Sequence, residues 1–142
     1  MSGFSVVYVR LNNGEQDLAW LQKEYGGEIP TDLDYKYARA TKGKEANVVP
    51  TNLKRLSNEL KTNAQYFGLE PDKEQLFYEH WKEGNLVRAL TYNVTVGWEK
   101  VEGTPELWEA DFFSEPLKQG AQPPDFSAED FYYQLKVYFG FP

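Results

Sequence analysis

The sequence predicts an α+β fold: a mainly antiparallel sheet, built from an N-terminal strand and a three-stranded meander at about 75–102, with helices packed on one of its faces. Three observations carry this. A β-branched run opens the chain and stops at Asn12-Asn13-Gly14. Two further apolar runs flank Glu83-Gly84-Asn85, a hairpin sequence. Outside these runs, apolar residues recur at helical spacing. A length of 142 residues fits one domain, 1–142, large enough to bury a core without staples.

Taken in order, Ser5–Leu11 is the first strand. Glu15–Tyr25 follows as a helix, with Leu18, Leu21 and Tyr25 on one stripe and Gly26-Gly27 closing it. Thr31–Ala40 alternates weakly at Leu33, Tyr35 and Tyr37, and is expected to be short or irregular structure. Lys42-Gly43-Lys44 is expected to be an exposed tip. Thr51–Phe67 is expected to be one helix, because Leu53, Leu56, Leu60, Ala64 and Phe67 form a single stripe between Pro50 and Gly68. The meander then comprises Gln75–Lys82, Leu86–Tyr92 and Trp98–Val101. Thr104-Pro105-Glu106 should start a short helix with Thr104 as N-cap. Glu115–Asp125, with three prolines and Gly120, is a surface crossing. Ser127–Phe139 is the last helix, with Ser127 and Asp130 as a capping box and Phe126 stapled to Phe131. The expected core is Val7, Leu18, Leu21, Leu53, Leu56, Leu60, Phe77, Leu90, Phe131 and Leu135.

Charge is unevenly spread. The net charge is −7, and residues 99–130 hold nine acids against Lys100 and Lys118. Residues 36–61 lean the other way, with seven bases against Glu45 and Glu59. Such asymmetry concerns partners and association rates rather than fold. Aromatic residues make up 16% of the chain, enough to expect a ring-rich core. The absence of cysteine excludes disulfides, thiolate metal sites and thiol catalysis. It also fits a reducing compartment, so a soluble cytoplasmic protein is expected. No leader of secretory type opens the sequence, and no apolar run approaches the roughly 20 residues that span a bilayer.

No motif specifies a reaction. His80 is the only histidine and has no serine elbow or second histidine beside it in sequence. Asp32 and Asp34 lack the further ligands of a calcium loop, so no metal is expected. Glu106 and Glu109 are three apart on one short helix, which suits helix-end charges better than glycoside hydrolysis. No glycine-rich phosphate loop follows a strand, and no cofactor is expected.

The expectation is therefore a non-enzymatic, acidic protein-binding module, an inhibitor or immunity-type partner of a basic protein. Its contact residues would be Glu106, Trp108, Glu109, Asp111 and Phe113, acids steering encounter around ring anchors. Small acidic inhibitors of basic enzymes use the same physics. The alternative is a small-molecule-binding or enzymatic domain with an aromatic pocket at His80, Trp81 and Tyr92. A third reading is nucleic-acid contact through the basic segment 36–61, against which the acidic pI of 4.8 weighs.

Overall fold

The structure is a computed structural model and describes residues 4–25, 37–39, 50–93, 95–113, 115–121 and 128–141. The described elements are β1 (Phe4–Arg10), α1 (Gly14–Tyr25), β2 (Tyr37–Arg39), α2 (Pro50–Glu59), β3 (Asn63–Glu70), β4 (Gln75–Lys82), β5 (Asn85–Asn93), β6 (Gly97–Gly103), α3 (Leu107–Phe112) and α4 (Ala128–Phe139). One six-stranded sheet runs β2-β1-β3-β4-β5-β6, and every neighbouring pair is antiparallel. The α+β class and the meander are as the sequence predicts. β5 pairs with both β4 and β6, and the β4–β5 turn is made by Glu83 and Gly84, both at positive φ.

One expectation about strands is corrected. The stripe 51–67 is not one helix: it ends at Glu59, and 63–70 is a strand at the centre of the sheet. The stop is a Schellman motif, in which the Thr62 amide donates to Ser57 and the Lys61 amide to Asn58. Lys61 takes the left-handed position (φ 50) usually given to glycine, so no glycine marks the stop. Asn12 Nδ2 donates to the Lys61 carbonyl (2.8 Å) and Thr62 Oγ1 to that of Arg10 (2.6 Å), fixing the corner. Beyond it, pairing with β1 on one side and β4 on the other outweighs helical spacing. Residues 37–39, within the stretch expected to be short or irregular structure, form a short edge strand on β1. Thr31, Asp32, Asp34, Lys42–Lys44, Asp125, Phe126 and Ser127 lie outside the described residues, and with them the metal, tip and capping expectations placed there.

Helices cover both faces of the sheet, not one. Because strand side chains alternate, β1 sends Val6 and Tyr8 one way and Val7 and Val9 the other. The first face packs Val6, Tyr8, Phe67, Tyr78 and Trp98 against Trp108 of α3 and Phe131 and Leu135 of α4. The second packs Val7, Val9 and Ala64 against Leu18 and Leu21 of α1 and Leu53 and Leu56 of α2. Of the expected core, Leu60 and Phe77 are only partly buried and the other eight are buried. After α4, Gly140 (φ 72) turns the chain, and Phe141 stacks on Tyr8 with ring centroids 4.0 Å apart.

Candidate functional site

The ring-rich face ends at α3, and three residues of the acidic segment hold that helix to the sheet. Glu106 is its N-cap, not Thr104. The Glu106 amide donates to Glu109 Oε2 (2.7 Å), satisfying a backbone group that the helix start leaves unpaired. The Glu106 carboxylate turns inward. One oxygen meets His80 Nδ1; the other accepts from the Tyr78 hydroxyl (2.8 Å) and from Trp108 Nε1. His80 Nε2 in turn contacts Asn63 Oδ1 (2.8 Å), and Gln65 Nε2 donates to the Tyr78 hydroxyl (3.1 Å). Burial pushes the Glu106 carboxyl up, but the hydrogen bond and charge of His80, with the donors Tyr78 and Trp108, together hold it below the usual carboxylate range. Tyr78 is pushed well up, by burial first and then by the Glu106 charge.

A second buried pair lies one turn on. Arg88 of β5 grips Glu109 with two bonds, Nε to Oε2 (3.0 Å) and Nη2 to Oε1 (2.5 Å). Arg88 Nη1 also donates to the Gly103 carbonyl (3.1 Å). Gly103 must be glycine there: its φ is +89, and a Cβ would sit 2.2 Å from the Val87 carbonyl oxygen. Among the described residues, every buried side-chain nitrogen and oxygen has a hydrogen-bond partner. His80 has both ring nitrogens engaged, and no three His, Cys, Asp or Glu side chains converge as a metal site among the described residues. The arrangement positions a helix.

These positions correct several expected contacts. Trp108 is 1% exposed, Glu109 is buried, and Glu106 faces the sheet, so none of the three lines a docking surface. Asp111 is exposed, and Phe113 is half-buried, edge-on to Trp98. Trp98 too is buried. The expected aromatic pocket is not assembled. His80 faces α3, and Trp81 packs with the α1–α2 core while donating to Glu79 (2.9 Å). Tyr92 sits opposite Leu76, roughly 13 Å along β4 from His80. A shallow depression of about 350 Å³ does open on the sheet, between Tyr66, Phe77, Glu79, Thr91 and Lys100, with none of those three in its lining. Of the basic segment, Lys54, Arg55 and Lys61 are exposed, and Arg55 pairs with Glu24 (3.3 Å).

What sequence reasoning missed is the outer side of α4. Its apolar residues fall on two stripes. Phe131, Tyr132 and Leu135 are buried, whereas Tyr133, Val137 and Tyr138 are exposed, Val137 by 82%. With Phe112 of α3, Asp130 and Gln134 they line an open groove of about 570 Å³. Leu107 of α3 is 89% exposed. The signal was present: eight of the twelve residues of Ala128–Phe139 are apolar or aromatic, more than one buried stripe can use. Asp111, Glu115 and Asp130 are exposed in the same part of the chain.

The chain matches no protein-family model, no curated protein and no solved structure. Among the described residues, no helix is long and apolar enough to cross a membrane.

Proposed function

We propose that this chain is a non-enzymatic protein-binding module that docks a partner with a basic surface on the outer face of α3 and α4. One observation carries the reading: α4 keeps a second apolar stripe, Tyr133, Val137 and Tyr138, in solvent beside Asp130. Contiguous exposed apolar surface rimmed by polar groups marks interaction sites. Acids of the 99–130 segment would steer encounter, and the anchors would be the α4 stripe and not the buried Trp108. An inhibitor or immunity-type role suits a small acidic module of this kind. The lack of cysteine suits a cytoplasmic setting.

The test is binding kinetics with a captured basic partner at several salt concentrations. Association should slow as the Debye length shrinks from about 10 Å at 0.1 M to about 3 Å at 1 M. Asp111→Asn should lower the on-rate, and Val137→Glu should chiefly raise the off-rate. Binding indifferent to salt and to both substitutions overturns the proposal.

A further inference from the structure

We infer that the occupant of the α3–α4 groove is a basic amphipathic helix of the partner, laid against α4; this rests on the protein-binding reading above. Three features favour a helix. The groove residues of α4, Asp130, Tyr133, Gln134, Val137 and Tyr138, fall at intervals of three and four, the ridge spacing that receives the side chains of another helix. Phe112 closes one wall, so the groove can seat a large aliphatic or aromatic residue between α3 and α4. An added strand is the other way to extend a sheet protein, and β6 offers it little. The start of β6 is already bonded to the 118–121 turn, through Trp98 to Ala121 (3.3 Å) and Gly120 to Trp98 (2.7 Å). Its remaining length carries the exposed charges Glu99, Lys100 and Glu102, which discourage edge pairing.

Charge selects the sign of the occupant. Asp130 lines the groove, whereas Lys136, the one base of α4, is not in the lining. Two copies of a chain of net charge −7 repel, which disfavours a second copy as occupant. A cation one turn from the inserted apolar residue would meet Asp130.

The experiment uses the full chain and three synthetic peptides of roughly 18 residues. The first is an amphipathic helix with leucines on one face and lysines on the other. The second has the same composition with a central proline, which breaks the helix. The third replaces lysine by glutamate. Affinity is read by fluorescence anisotropy at low and high salt. The helical basic peptide should bind, and the proline and glutamate peptides should bind about tenfold or more weakly. Val137→Glu should weaken the helical peptide by a similar factor, with circular dichroism confirming an unchanged fold. Equal binding of the helical and proline peptides overturns the helix and leaves the basic-partner reading standing. No binding of either basic peptide at low salt overturns both. A homodimer that sediments as such and dissolves on Val137→Glu assigns the groove to a second copy and also overturns the inference.

Discussion

The two faces of the sheet are built from the same strands yet held by different forces. The face under α1 and α2 is aliphatic: Val7, Val9, Leu18, Leu21, Leu53 and Leu56 pack with small Ala38 and Ala64. The face under α3 and α4 is made of rings and encloses polar and charged side chains, with Glu106, Glu109, Arg88 and His80 bonded between β4, β5 and α3. Aliphatic contacts are non-directional and tolerate volume-conserving exchange. The buried Arg88–Glu109 pair is directional, and one partner cannot be lost without stranding the other. The first face therefore supplies bulk stability, and the second fixes where α3 sits. Placing α3 sets the Phe112 wall of the exposed groove, so the buried network and the groove are mechanically joined.

Perturbing each face tests this contrast. The largest effect is expected from Arg88→Ala, which leaves Glu109 buried without its partner and should cost about 3–5 kcal/mol in denaturant unfolding. Replacing the pair together, Arg88→Met with Glu109→Leu, should recover most of that loss. If the double variant is no better than the single one, the charge pair is not the source of the cost. Leu56→Ala on the aliphatic face should cost about 2–5 kcal/mol, as the methyl groups removed leave a cavity. It should do so without disturbing α3, which the fluorescence of a variant with Trp108 as its sole tryptophan can report.

Acid should act on the ring-rich face through Glu106. Glu106 titrates lower folded than unfolded, so the unfolded chain takes up its proton first. Its contribution is complete above the ordinary value of 4.5 and is lost as pH falls through the lower folded value. Glu106→Gln should flatten that part of the stability–pH curve and cost about 1.5–3 kcal/mol near neutrality. An unchanged acid limb in that variant would show that other carboxylates carry the dependence. Tyr78, raised in the fold, adds a loss as pH climbs above 10.0. The smallest effect on stability is expected at the exposed stripe: Val137→Glu should change it by no more than about 0.5 kcal/mol. A larger loss would mean that Val137 is part of the core and not a docking residue.

Local chemistry alone determined much of this protein. The first strand, α1, the hairpin at Glu83-Gly84 and the meander follow from short-range alternation, turn residues and helical spacing, which need no distant partner. The sign of the charge in each region is likewise a property of the sequence. The rest was decided by contacts between residues far apart in the chain. Residues 63–70 carry an apolar spacing that suits a helix. They become a strand because β1 and β4 offer hydrogen bonds on both sides, after Lys61 has taken a cap position that sequence reserves for glycine. Glu106 and Glu109 look like solvated helix charges until Arg88 and His80, more than twenty residues earlier, fold beneath them. Trp108 follows them inward, and only then is the outer stripe of α4 left as the exposed apolar surface of that face. Sequence shows how many apolar groups a helix has; which of them finds a neighbour depends on what the sheet brings into reach, because burial is a property of pairs of surfaces and not of single residues.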